Sequence, residues 1–295
     1  MEQQDLDPAL DPELDHVSRR RFLERMSAGT MVAAVLGKDS LPQEKTPASL
    51  EDKDLIHEEI TFPSGDKRVE AFLCHPKASG QRGSVIVIQE IFGLNDHIRD
   101  IACRLAKAGF NGLAVNFFTR EGKPPEGFGP PLMEFVNKIP DSQVIGDIKA
   151  AAKYLRSRSD SNGKIGAVGF CWGGRFSMLA DASIPDLNAA VAYYGRIRQP
   201  AKTENQPKGP IDLVDTMKAP LLGHFGANDR GIPPADADAL KEELKKRGKT
   251  VEIHIYEGAG HAFNNDTRES YHAESAKLAW RRTLEWFDKY LKSQS

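Results

Sequence analysis

Strand-like and helix-like segments alternate along most of this 295-residue chain, which predicts an α/β fold on a mostly parallel, doubly wound sheet. Two further observations shape that expectation. The run Ser84-Val85-Ile86-Val87-Ile88-Gln89 is almost continuously β-branched, as a strand covered on both faces requires. Ahead of it, residues 57–62 and 68–74 are strand-like on either side of the turn cluster Pro63-Ser64-Gly65-Asp66. That spacing predicts an N-terminal antiparallel hairpin.

Further strands are expected at 112–116, 164–168, 189–193, 220–225 and 251–256, and helices at 98–108, 144–155, 175–181, 235–247 and 270–291. In the last helix Ala273, Ala276, Trp280, Leu284, Phe287 and Leu291 fall on one stripe at helical spacing, a pattern that faces a core. The stretches 119–131, with Pro124-Pro125 and Pro130-Pro131, and 196–210 read as irregular segments that wall a pocket. Ligands on sheets of this kind bind outside the carboxyl ends of the strands.

The length suits one α/β domain, expected over residues 54–295, preceded by a tail and linker at 1–53. With 40 basic and 42 acidic side chains the net charge is -2, so neither nucleic acid nor an anionic membrane is an expected partner. Monomer and small homo-oligomer both remain open. The three cysteines, Cys74, Cys103 and Cys171, form no CxxC pair and no metal-ligand spacing, and their odd number excludes a full disulfide framework. In the tail, Ser18-Arg19-Arg20-Arg21-Phe22-Leu23 precedes a mildly apolar run, the pattern of a twin-arginine export signal. Export to the periplasm is the reading that follows, with a cytoplasmic protein carrying an amphipathic N-terminal helix as its alternative. The apolar run is too short to span a bilayer.

The chemistry centres on Gly169-Phe170-Cys171-Trp172-Gly173-Gly174, where a short apolar strand runs into Gly-x-Cys-x-Gly and then a helix. This is the nucleophile elbow of the α/β-hydrolase fold with cysteine in the place of serine. Flanking residues without a Cβ let the backbone fold back on itself, and the helix N-terminus behind the sulfur favours a thiolate. A cysteine packed between strand and helix as a small apolar filler is the plainer reading. A hydrolytic nucleophile needs a base and an orienting acid, in the chain order nucleophile, acid, histidine. Asp229 follows the strand at 220–225 and His261 follows the strand at 251–256, so Cys171, Asp229 and His261 stand in that order. His224, at a strand end, reads as core or pocket wall. Glu90 directly follows the buried run at 84–89, with apolar Ile91 and Phe92 beside it, and is a candidate acceptor for the thiol proton.

Gln89-Glu90-Ile91-Phe92-Gly93, the cysteine elbow, Asp229 and Gly260-His261-Ala262-Phe263 together resemble the dienelactone hydrolase, or carboxymethylenebutenolidase, family over residues 55–292. The resemblance implies a Cys171-His261-Asp229 triad that cleaves a small lactone or carboxylic ester through a thioester. It also implies that Glu90 takes the thiol proton when substrate binds, and that the N–H groups of Ile91 and Trp172 hold the oxyanion. No metal or organic cofactor is implied. Family members acting on carboxylated dienelactones hold the carboxylate with arginines, and Arg120 looks similar to one of them. A second is expected four residues after His261, where this chain has Asn265; Arg268 lies close by. Two rival readings start from the same elbow. A dinucleotide-binding fold fails because Cys171 occupies the second glycine position of Gly-x-Gly-x-x-Gly. The other is a non-catalytic, hydrolase-like protein whose thiol senses oxidants or binds a ligand.

Overall fold

A computed structural model of the chain describes residues 48–292. The expected export signal at Arg19-Arg20 and most of the tail lie outside the described residues. Among those residues no helix is long and apolar enough to cross a membrane.

Eight strands form one sheet: β1 (Leu55–Ser64), β2 (Lys67–Pro76), β3 (Arg82–Ile88), β4 (Asn111–Val115), β5 (Ser161–Phe170), β6 (Ala189–Tyr193), β7 (Leu221–Gly226) and β8 (Val251–Tyr256), in the order β1-β2-β4-β3-β5-β6-β7-β8. β1 pairs antiparallel with β2 and β2 antiparallel with β4, while every other pairing is parallel. Only β2 therefore runs against the common direction, and the hairpin extends the parallel sheet rather than forming a separate layer. The Gly65-Asp66 turn closes it, with Gly65 at φ 59, a conformation that suits glycine.

The helices are α1 (Asp96–Lys107), α2 (Pro130–Asn137), α3 (Asp141–Ser157), α4 (Trp172–Ser183), α5 (Pro234–Lys246) and α6 (Ala273–Leu291). Gly112, Val85 and Gly166 lie side by side across β4, β3 and β5. A Cβ on Gly112 would strike the α1 backbone at Ala102, and one on Gly166 would strike Phe287 and Leu291 of α6. Residues in one row point to one face, so α1 and α6 cover the same side of the sheet. Right-handed crossovers put α3 and α4 on the other. β3 is buried from Gly83 to its end, as the β-branched run predicted, and β4 and β6 are buried along their length.

Two expectations need correcting. The segment after Gly129 is helical, because Pro130 stands at its first turn, where a missing N–H costs nothing. In α6 the buried stripe runs through Ala276, Ala279, Thr283, Phe287 and Leu291, whereas Ala273 is exposed and Trp280 and Leu284 are half-buried. The displacement follows Thr283, whose hydroxyl is turned inward to meet Tyr193 Oη at 2.7 Å and His224 Nε2 at 3.1 Å.

Candidate active site

β5 ends at Phe170 and α4 begins at Trp172, leaving Cys171 alone to make the turn. It does so at φ 55 and ψ −112, a region that costs a side-chain-bearing residue roughly 1–3 kcal/mol. The glycines around it serve close approach. A Cβ on Gly169 would meet Gly173 O at 1.9 Å, and one on Gly173 would meet Ile88 O at 2.2 Å. The Cys171 N–H donates to Tyr193 O at 3.0 Å, which ties the elbow to β6. The sulfur remains half-exposed at the N-terminus of α4, where the helix dipole favours negative charge.

Asp229 and His261 follow the ends of β7 and β8. Asp229 is 4% exposed; its Oδ1 accepts from Gly231 N at 2.9 Å and Ile232 N at 3.0 Å, and its Oδ2 meets His261 Nδ1 at 2.7 Å. With one oxygen fixed by the backbone, the other has a single orientation to offer the ring. Burial by itself would lower the His261 pKa. The negative charge of an ionised Cys171 and the hydrogen bond to Asp229 outweigh it, and the ring's pKa stands well above the usual histidine value. Asp229 and His261 are thus bonded to each other, and with Cys171 they stand past the carboxyl ends of β7, β8 and β5. His224 is core: it lies fully buried between Tyr256 Oη at 2.9 Å and Thr283 Oγ1 at 3.1 Å, and burial holds its pKa well below the usual value.

Glu90 is 1% exposed and sits just past β3. Its Oε2 accepts from Asn265 Nδ2 at 3.0 Å; among the described residues its Oε1 has no hydrogen-bond partner. Asn265 in turn is braced by Thr267, whose N–H and hydroxyl donate to its Oδ1 at 3.0 and 2.7 Å. Asn265, expected to meet substrate, is thus engaged with Glu90. The next residue, Asp266, pairs with Arg104 and lies 3.6 Å from His97 Nδ1, so the loop carrying His261 is moored to α1. The His97 ring and the Arg104 guanidinium hold Asp266 well below the usual carboxylate range.

Arg120, expected to hold a substrate carboxylate, is instead spent on a buried partner. Its Nη1 and Nη2 reach Asp147 Oδ2 and Oδ1 at 2.6 and 2.9 Å, and Nη2 also donates to Ser64 O at 3.2 Å. Asp147 is fully buried on α3, and such a carboxylate needs a cation beside it.

Ile91 and Trp172 present main-chain N–H groups that donate to no other described residue. Trp172 is the first residue of α4, where N–H groups lack intrahelical partners. Its indole packs on Phe118 and Phe176 at ring separations of 5.4 and 4.4 Å, giving the site an aromatic wall.

Two neighbours escaped the sequence reading. Tyr194, just past β6 at φ 38, is fully buried with an unpartnered hydroxyl, and its ring lies 5.2 Å from that of His261. Burial, and then the charges of Glu90 and Cys171, push its pKa well up. Arg196, two residues on, forms no hydrogen bond or ion pair among the described residues. Burial, helped by the charge of Arg175, draws it below the usual arginine range, and negative charge at Cys171 opposes that shift. Their position past a strand's carboxyl end was the available signal. Arg268 stacks over Phe92, 4.1 Å from the ring centre, and also has no ion pair among the described residues.

The chain resembles known proteins in sequence and in fold. The model of the dienelactone hydrolase family matches residues 69–291. The chain is 39% identical over 252 residues to "Putative carboxymethylenebutenolidase" of Escherichia coli (strain K12), covering 84% of this chain and 93% of that protein. It is 34% identical over 222 residues to "Probable 2-oxo-3-(5-oxofuran-2-ylidene)propanoate lactonase" of Bradyrhizobium sp, covering 75% and 89% respectively. Among solved structures, "Putative Dienelactone Hydrolase" from Klebsiella pneumoniae superposes with a TM-score of 0.76 at 41% identity, over 80% of this chain and 99% of that one.

Proposed function

Because this chain belongs to the dienelactone hydrolase family and is an ester or lactone hydrolase, we propose that it acts through a thioester formed on Cys171. The observation that carries the proposal is the 2.7 Å bond between Asp229 and His261 Nδ1, with the ring's raised pKa tied to negative charge on the elbow sulfur.

We assign the cycle a resting state with Cys171 a thiol and His261 protonated on its bond to Asp229. An imidazolium has no lone pair to offer, so the thiol proton passes to Glu90, the carboxylate with a free oxygen. The thiolate attacks the acyl carbon, and the N–H groups of Ile91 and Trp172 receive the oxyanion. Collapse expels the alkoxide, which takes the proton from His261. The neutral ring then accepts a proton from water as the water attacks the thioester, and departure of the carboxylic acid returns the thiolate, which recovers its proton from Glu90. Asp229 keeps Nδ1 protonated throughout, so Nε2 is the atom that exchanges protons.

For substrate class, Arg268 and Arg196 are guanidinium groups without an ion pair among the described residues, set past the carboxyl ends of β8 and β6, and they suit a lactone or ester that carries an anionic group. The carboxylate in the name of the Bradyrhizobium lactonase's substrate supports this reading. The test is a panel of 4-nitrophenyl acetate and of neutral and carboxylated lactones assayed with the wild-type chain and with Cys171→Ala. The variant is expected to turn over none of them. Wild-type rates in Cys171→Ala would end the proposal.

A further inference from the structure

Cys74 and Cys103 take no part in this chemistry. Cys74 lies near the end of β2, antiparallel to Gly112 of β4, and Cys103 lies in the last turns of α1. Both side chains are fully buried, and their Sγ atoms stand 2.6 Å apart. Both are free thiols, yet that separation is far below van der Waals contact and about 0.6 Å beyond a covalent S–S bond of about 2.0 Å. Neither thiol has another hydrogen-bond partner among the described residues.

We propose that Cys74 and Cys103 are the site of a structural disulfide joining β2 to α1. The segment it closes, residues 74–103, contains β3, Glu90 and the oxyanion residue Ile91, so the bridge pins both ends of the strand that carries one side of the active site. Three cysteines allow one bridge and one free thiol. Cys171, half-exposed at the elbow, is the thiol left over, and hydrolysis keeps its nucleophile.

The bond forms by exchange with a small disulfide such as glutathione disulfide. One cysteine thiolate attacks the oxidant's sulfur and expels one glutathione thiolate, giving a mixed disulfide. The second cysteine thiolate attacks the protein sulfur of that intermediate and expels the other glutathione thiolate. The protein loses two electrons and two protons, and two glutathione thiols carry them away. In the packed fold both thiols are fully buried, out of reach of an oxidant the size of glutathione disulfide. Bridge closure therefore belongs to folding, before α1 settles on β2.

The full-length chain, unfolded in guanidinium chloride, is refolded in parallel in a glutathione disulfide/glutathione mixture and in a reducing buffer. Each product is then denatured, alkylated with iodoacetamide, digested with trypsin and mapped by mass spectrometry. The oxidised product is expected to contain peptides 69–77 and 100–104 linked, with alkylation on Cys171 alone. Its thermal midpoint is expected to lie about 5–10 °C above that of the reduced product. Cys171→Ala, treated identically, should give the same linked pair and no alkylated thiol. Three alkylated cysteines after oxidative refolding, a bridge that includes Cys171, or a linked product with an unraised midpoint would overturn the proposal. None of these readouts depends on hydrolysis, so the result stands apart from the assignment of Cys171 as nucleophile.

Discussion

Glu90 is the residue on which the proposed proton path turns. Its Oε2 is fixed by Asn265 while Oε1 is free, so Gln in its place keeps an acceptor for Asn265 and removes only the ability to take a proton. Glu90→Gln is therefore expected to unfold in urea at or above the wild-type midpoint, since a buried charge is gone. Its kcat/KM for 4-nitrophenyl acetate should fall about a hundredfold, the usual scale of acid–base catalysis. Turnover within a few-fold of wild type would transfer the role to His261. At this scale the sequence was informative where chain order carries meaning. Cys171, Asp229 and His261 were found because each follows a strand in the order a hydrolase needs. The bond between Glu90 and Asn265 joins residues far apart in the chain, and no local pattern encodes it. Tyr194 carries no motif of its own, and the fold sets its ring 5.2 Å from that of His261, while Arg196 opens the stretch read as a pocket wall.

At the scale of elements, Arg120 shows how a motif position can be captured by a different helix. It follows β4, where a substrate-binding residue is reasonable, but Asp147 of α3 holds it in a two-point ion pair. Removing the arginine leaves a buried carboxylate with only the Ser64 hydroxyl, 2.6 Å from Asp147 Oδ1, as a side-chain partner. Arg120→Met is thus expected to lower unfolding stability by about 2–4 kcal/mol, read from urea denaturation. Its KM for carboxylated and neutral lactones should stay at wild-type values. A normal midpoint with a raised KM for carboxylated lactones alone would restore Arg120 to the binding site. Strand positions were legible because apolar β-branched runs announce buried strands, and the predicted and observed ranges of β6 and β8 coincide. The helix after Gly129 was hidden by Pro130-Pro131, which reads as a break although proline is welcome in a first helical turn. The true stripe of α6 was hidden by Thr283, a polar residue buried because two distant side chains bond it.

Across the whole molecule, seven strands running one way deliver their carboxyl ends to a single rim, and the Cys171, Glu90, Asp229 and His261 side chains all arise there. Mooring of the His261 loop through Asp266 to α1, and of the elbow through Cys171 N to β6, makes the constellation a property of the fold as a unit. The one step that every part of this arrangement serves is acyl transfer to sulfur. Rapid quenching of the chain with 4-nitrophenyl acetate, followed by peptide mass mapping, observes that step directly. The account predicts one acetyl group on the peptide carrying Cys171, accumulating further in His261→Ala because the water that clears the thioester loses its base. Steady hydrolysis with no acetyl group on Cys171 at any quench time, or with the acetyl group on another residue, would contradict it.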